Sequence, residues 1–110
     1  MKIHYKSKKL EKNLSDPVSM VKAFGAMAKR LNQRMQECKA ADNLGVLAKI
    51  PAARLHQLSH NRKEQLAITV TGNVRIVFEP WHEPIPQKPD GGLHYEAVTE
   101  IRIIEITDYH

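Results

Sequence analysis

The sequence predicts a single α+β domain, with helices from the N-terminal half packed on one face of a mainly antiparallel sheet. Two observations support this prediction: an apolar stripe at helical spacing runs through residues 17–41, and two β-branched segments flank a short turn at 71–73. A third is the C-terminal segment, where four isoleucines fall within six residues. The 110 residues suffice for one domain, 1–110, with a modest core.

The N-terminal half predicts a short strand over residues 2–6, a short basic helix over 8–14 and then a longer helix. Asp16 is suited to the N-cap of this longer helix, and Pro17 to its first position, where the missing N–H costs nothing. The apolar stripe that follows predicts one continuous helix ending near residues 41–43. Its members, at steps of three and four, are Met20, Phe24, Met27, Leu31, Met35 and Cys38.

The C-terminal half predicts a sheet. Residues 54–58 alternate and predict a strand with Arg54 and His56 on one face. Residues 66–70 and 74–78 predict a hairpin, and four prolines and a double glycine exclude a regular element over 80–99. The last strand is apolar on both faces, which predicts a central position in the sheet.

Strict alternation along this last strand predicts which side chains share a face. Ile101 and Ile103 would lie with Tyr109 on one face. The other face would carry Ile104, Ile106, Asp108 and His110.

Charge is distributed unevenly along the chain. Residues 1–63 hold fourteen Lys and Arg against four Asp and Glu, whereas residues 64–110 hold three against eight. A concentrated basic half predicts a polyanionic partner, with nucleic acid first, or alternatively a solvated helix face. The single cysteine, the absence of a long apolar run and the absence of a signal-peptide pattern predict a cytoplasmic protein that does not insert into a membrane.

Several classes of site are excluded by the absence of their motifs. The sequence has no P-loop, no dinucleotide-binding glycine motif and no Cys-x-x-Cys pair. Its six histidines do not follow the spacing of metal ligands, so neither a metal nor another cofactor is expected.

Three blocks of sequence resemble the RelE/HigB family of toxins from bacterial toxin–antitoxin modules, in particular its HigB-like plasmid maintenance killer proteins. They are Arg54–Leu58 with Arg62 and Lys63 after it, the turn Thr71–Arg75, and the terminal Asp108-Tyr109-His110 after an Ile-rich strand. The resemblance covers essentially the whole chain. Three features depart from the family. Many members have Trp in place of Leu66 and a Gly-containing turn in place of Ser59-His60. Residues 80–99 are longer than in the shortest members.

The resemblance implies a RelE-like microbial-ribonuclease fold and a small basic endoribonuclease that cuts mRNA, usually in the ribosomal A site. It also implies a cognate helix-turn-helix antitoxin of the HigA type, which holds the toxin inactive. Such enzymes work without metal: the 2′-OH of the RNA attacks the adjacent phosphorus. This reaction needs a base, a cation for the phosphorane and an acid for the 5′-oxygen.

The sequence offers candidates for each catalytic role. Arg75 would hold the phosphorane charge with its fork of donors, although an arginine on a solvated strand face is the alternative. His56 and His110 would serve as base and acid, unless they are structural histidines. Asp108 would orient His110. Tyr109 would stack on a base or bind a phosphate, unless it is a half-buried structural residue at the end of the strand.

A basic surface completes the predicted site. Its members, which would follow the RNA phosphates without reading sequence, are Lys8, Lys9, Lys12, Arg54, Arg62 and Lys63. Trp81 fits an RNA platform, a partner contact or a packing anchor. Two other functions stay open from sequence: a non-catalytic RNA- or antitoxin-binding domain of the same fold, and a regulatory subunit that binds only an antitoxin.

Overall fold

The computed structural model describes residues 1–59 and 64–108. The N-terminal half consists of strand β1 (Lys2–Tyr5) followed by four helices. These are α1 (Lys8–Ser15), α2 (Pro17–Phe24), α3 (Ala28–Ala40) and α4 (Leu44–Ala48). The C-terminal half supplies four strands: β2 (His56–Gln57), β3 (Leu66–Thr69), β4 (Val74–Pro80) and β5 (Glu100–Asp108). Short 3₁₀ turns occur at Gly25–Met27, Pro51–Ala53 and Tyr95–Ala97.

The five strands form one sheet in the order β1-β5-β4-β3-β2. All neighbouring pairs are antiparallel except β1 with β5. The α+β class, the mainly antiparallel sheet and the 71–73 hairpin are therefore confirmed. β5 lies between β1 and β4, so the prediction of a central C-terminal strand is also confirmed.

One face of the sheet packs against the helices and forms the core. From the helices the core takes Leu31, Met35, Cys38 and Leu44, and from the sheet Ile68, Ile76, Phe78, Ile101 and Ile103, all fully buried. We call the opposite face the outer face. It carries His56, Ala67, Thr69, Arg75, Val77 and Thr107, which are paired across neighbouring strands.

The prediction of one helix from residue 17 to about 41 is wrong. The chain leaves α2 at Gly25, whose φ of 60° lies in a region that residues with a Cβ rarely adopt. Asp16 does cap α2, accepting a hydrogen bond from the Ser19 N–H at 3.3 Å, with Pro17 at the first helical position. The apolar stripe continues through the break because both helices lie on the same core.

Two predictions about strands are also wrong in part. Only His56 and Gln57 of the 54–58 segment pair with β3, and Arg54 adopts a left-handed conformation with φ 48° and ψ 50°. In β5, the register shifts by one residue opposite Val77 and Phe78, which makes a bulge at Ile104. Ile106 therefore packs against the same core as Ile103, and strict alternation fails.

Residues 80–99 are irregular for most of their length, as predicted. The exceptions are Pro80, which is the last residue of β4, the turn Tyr95–Ala97 and an isolated bridge between Gln87 and Leu93. No helix in the described ranges is long and apolar enough to cross a membrane.

Candidate active site

An arginine-rich hollow lies at the β2 edge of the sheet, beside the start of β2. In the described part of the chain, Ile68 and Thr69 of β3 have no strand partner on this side. Its volume is about 580 Å³. The lining residues are Arg30, Arg34, Ala52, Arg54, His56, Thr69, Val70, Thr71, Gly72 and Arg75. Four cationic side chains and no Asp or Glu line it in the described part of the chain, so the hollow is suited to an anion.

Two residues of this hollow are brought into contact by strand register. His56 pairs with Ala67 of β3, while Arg75 of β4 pairs with Thr69, two residues further along the same strand. Both side chains therefore lie on the outer face, on the two strands that flank β3. Nη1 of Arg75 lies 3.5 Å from Nε2 of His56.

The tautomer of His56 follows from its second contact. Nδ1 of His56 lies 2.9 Å from the carbonyl oxygen of Arg54. A carbonyl can only accept, so Nδ1 carries the proton and donates it. In the neutral ring, Nε2 is then the acceptor and directs its lone pair towards Arg75. This is the form of imidazole that can take up a proton at Nε2.

The left-handed backbone of Arg54 is what orients that carbonyl. A residue with a Cβ adopts this conformation at a cost of about 1–3 kcal/mol and keeps it only where surrounding structure imposes it. Arg54 follows the Pro51–Ala53 turn, and its N–H donates back to the Pro51 oxygen at 3.2 Å. The turn thus fixes the peptide that holds the imidazole.

Helix α3 supplies two lining residues that the sequence did not assign to the site, Arg30 and Arg34. Arg34 is buried, with 8% of its surface exposed. Its Nε donates to the Thr69 oxygen at 2.8 Å, and its Nη1 to Glu37 at 3.0 Å. Arg34 therefore ties α3 to the end of β3, and Arg30, one turn earlier and exposed, extends the positive surface. Their spacing of four residues, off the apolar stripe, was the available signal.

The remaining predicted catalytic residues are the last three of the sequence. Asp108 is exposed and pairs with Val74, which places it in the row of β5 that faces the helices rather than the row of Thr107 and Arg75. Tyr109 and His110 lie outside the described residues, so their predicted roles stay predictions.

The predicted RNA-binding residues divide into three groups. Arg54 lines the hollow. The lysines of α1, Lys8, Lys9 and Lys12, are absent from its lining; Lys9 lines another cavity, at β5. Arg62 and Lys63 lie outside the described residues.

The other end of the outer face is acidic. Arg102 stacks over the ring of Trp81 at 4.4 Å and is held by Glu79 at 2.9 and 2.7 Å. Trp81 is 41% exposed and borders a cavity of about 430 Å³. That cavity is lined by Glu64, Glu79 and Glu83, which would repel phosphate. These contacts favour a packing or partner role for Trp81 over an RNA platform.

Three other titratable side chains, His82, His4 and Cys38, have structural roles. Nε2 of His82 accepts hydrogen bonds from the N–H groups of Thr99 and Glu100 at 3.1 and 3.2 Å. His4 donates to Glu100 at 2.8 Å, and this hydrogen bond lowers the pKa of the Glu100 carboxyl. Burial raises the pKa of the Cys38 thiol to about 12, so Cys38 is a core residue and not a nucleophile.

The described residues include no group of three or more His, Cys, Asp or Glu side chains that could hold a metal ion. The hollow itself offers one imidazole and four guanidinium groups. An anion can be held by Arg54 and Arg75, and a proton beside it can be taken by His56.

Comparison with known proteins rests on structure alone, because no family model and no curated protein matches the sequence. A YoeB/ParE toxin from Agrobacterium tumefaciens is similar over 100% of both chains, with a TM-score of 0.54 and 10% sequence identity. The chain has the fold of this toxin. At this level of identity the likeness confirms the predicted fold and does not distinguish the HigB-like branch from others.

Proposed function

We propose that this chain is the toxin of a type II toxin–antitoxin module and a metal-independent endoribonuclease that cleaves mRNA, in the ribosomal A site. A helix-turn-helix antitoxin of the HigA type would hold it inactive. The observation that carries the proposal is the pair His56 and Arg75, with Nε2 and Nη1 3.5 Å apart inside an arginine-lined hollow. The fold shared with a YoeB/ParE toxin supports the toxin assignment.

The first step is proton removal from the RNA. A phosphate bound by Arg75 and Arg54 would bring the neighbouring 2′-OH to Nε2 of His56, where it would replace Nη1 of Arg75. Nε2 is the unprotonated nitrogen because Nδ1–H donates to the Arg54 carbonyl. The 2′-oxygen then attacks the phosphorus as its proton passes to Nε2. This step needs no other base.

The second step is charge stabilisation and release. The phosphorane carries an extra negative charge, which the guanidinium groups of Arg75 and Arg54, both lining the hollow, would stabilise. The bond from phosphorus to the 5′-oxygen breaks, and that oxygen takes a proton from an acid, for which His110 remains the candidate. The products are a 2′,3′-cyclic phosphate and a 5′-hydroxyl, which balances the atoms without water or metal.

The test combines end mapping with matched variants. Purified protein is added to mRNA with and without ribosomes, and new 5′ ends are mapped and tested for a 5′-hydroxyl. His56→Gln and Arg75→Ala should each abolish most cleavage, while His94→Gln, which alters an exposed histidine outside the hollow, should leave it intact. On free RNA, added EDTA should have no effect. A need for a divalent ion, or full activity in His56→Gln, would contradict the mechanism.

The same assay separates the alternative function. A non-catalytic RNA- or antitoxin-binding domain would retard RNA in a gel through the arginine-lined hollow but yield no new 5′ ends at any protein concentration. Induced expression adds a cellular measurement. The parent should arrest growth, and folded Arg75→Ala should not.

A further inference from the structure

The arginine-lined hollow extends across the edge of the sheet, so it has two sides. His56 and Arg75 lie on the side of the outer face, and Arg30 and Arg34 belong to α3, on the side of the helices. Its volume of about 580 Å³ is in the range of pockets that hold a whole small molecule, which is more than one phosphate group fills. The proposed cleavage uses the outer-face side, and it leaves the two arginines of α3 without a role.

Arg34 takes the place of a neighbouring strand at the end of β3. The N–H of Val70 donates to the Val74 oxygen at 2.8 Å, so Val70 directs its backbone groups towards β4. Thr69 therefore directs its carbonyl to the opposite side, because successive residues of a strand bond in alternate directions. There it accepts a hydrogen bond from Nε of Arg34 at 2.8 Å. Since Thr69 pairs with Arg75, this hydrogen bond sets the spacing between α3 and the strand of Arg75.

The guanidinium of Arg34 keeps donors for the hollow. Its Nε is used by Thr69 and its Nη1 by Glu37, at 3.0 Å, and no hydrogen bond that Arg34 makes with the described residues uses Nη2. Nη2 is also absent from the buried polar atoms that have no partner in the described chain, so solvent reaches it. Arg34 as a whole is only 8% exposed, and it lines the hollow. A buried guanidinium with unused N–H groups beside a cavity is suited to a phosphate oxygen.

Arg30 adds a charge that the fold leaves unbalanced. It is exposed, and it takes part in none of the ion pairs among the described residues. It lies four residues before Arg34 on the same helix, where like charges repel. It also lies in the first turn of α3, which has no acidic residue and already has the positive end of the helix dipole. Glu37 offsets part of the Arg34 charge but does not line the hollow, so a bound anion would relieve the repulsion at Arg30.

We infer that the hollow binds two neighbouring phosphate groups of one RNA strand, and that Arg34 and Arg30 form the subsite for the second. The inference rests on the proposed function in one respect, which is that the scissile phosphate lies at His56, Arg54 and Arg75. The second phosphate is one nucleotide away, on the 5′ or the 3′ side. Holding the strand at two points fixes the ribose between or beside them, and so orients the 2′-OH towards His56.

The experiment uses the full chain and three deoxydinucleotides of the same two bases, which cannot be cut because they lack the 2′-OH. One carries the internal phosphate alone, one has an added 5′-phosphate and one has an added 3′-phosphate. Binding is measured by calorimetry at one fixed ionic strength. One added phosphate should raise affinity roughly tenfold, and the other far less, because a strand bound in one direction brings only one of them to α3.

Matched variants assign the gain to α3. Arg30→Gln should remove most of the gain and leave affinity for the ligand with one phosphate nearly unchanged. Lys29→Gln removes the adjacent exposed charge, which is outside the lining, and should keep the gain. Arg34→Lys keeps the charge but not the fork of donors, so it should also lose the gain. Thermal unfolding checks its fold, and the exposed Arg30 keeps the test decisive if the Arg34 variant does not fold.

Several results would overturn the inference. If neither added phosphate raises affinity, the hollow takes a single phosphate. Equal gains from both, or equal losses in Arg30→Gln and Lys29→Gln, would mean general attraction between charges. Because these ligands are not cleaved, failure of the two proposals is distinguishable. A chain that shows the gain but makes no new 5′ ends on mRNA would keep the second subsite and contradict the nuclease, and cleavage without the gain would do the reverse.

Discussion

Nη1 of Arg75 lies 3.5 Å from Nε2 of His56, although the two residues are nineteen positions apart in sequence. Their approach depends on two strand pairings made through β3, to Ala67 and to Thr69. The contact therefore couples a short edge strand to the hairpin, and in the proposed mechanism both side chains would meet the same phosphate.

Because the proposed mechanism has both residues act on one phosphate, the effects of changing them should not add. We expect His56→Gln and Arg75→Ala each to lower the single-turnover cleavage rate by roughly 10²- to 10³-fold. The double variant should be little slower than the slower single variant, since groups that act as a unit lose their joint effect at the first substitution. Rates on a short RNA at saturating protein would check this, and fully multiplicative effects would mean independent roles.

Replacing Arg54 by glycine should raise stability while weakening RNA binding. Glycine adopts φ 48° and ψ 50° without the Cβ penalty, which should increase the free energy of unfolding by about 1 kcal/mol. Loss of the guanidinium should reduce the slope of log K against log salt by about 1. Urea denaturation and salt titration of RNA affinity give the two numbers. Arg54→Ala is the control that loses the charge and keeps the strain.

Two glycines provide a matched pair of stability tests, because a Cβ meets open space at both Gly25 and Gly72. Gly25 has φ +60°, so Gly25→Ala should destabilise the protein by about 1–3 kcal/mol. Gly72 has no such φ, so Gly72→Ala should be neutral or stabilising by up to about 0.5 kcal/mol, through the unfolded state. Similar losses at both positions, in thermal or urea unfolding, would contradict the conformational explanation.

The thiol of Cys38 should be inert in the folded protein. Burial raises its pKa from 9.0 to about 12, so a thiol-specific reagent at about pH 8 should react only after unfolding. Since the folded pKa is the higher one, this thiol contributes stability that is fully present below the unfolded value of 9.0. That stability is lost progressively as pH rises from 9.0 towards about 12. Rapid labelling under native conditions would contradict burial.

Local sequence patterns identified most of the elements. Asp16 and Pro17 mark a helix start, the 71–73 turn marks a hairpin, and the isoleucines of 101–106 mark a central strand, because capping, turn and strand preferences depend on near neighbours. The break at Gly25 and the bulge at Ile104 escaped prediction. The break changes the backbone but keeps the apolar stripe of α2 and α3 on the core, and the bulge keeps Ile103 and Ile106 on the core. The periodic pattern of apolar residues therefore records neither change.

The sequence by itself determined the class of fold, the candidate residues His56, Arg75 and Arg54, and a basic N-terminal half. Only the tertiary structure decided that Arg30 and Arg34 join them while the α1 lysines do not line their hollow. The physical reason is that a side chain's type is fixed locally, but its neighbours are fixed by strand order and register. β1 and β2 are the two edge strands of the sheet. Helix α1 follows β1 directly in sequence, so it starts at the edge opposite β2 and the hollow. No spacing along the chain encodes that separation.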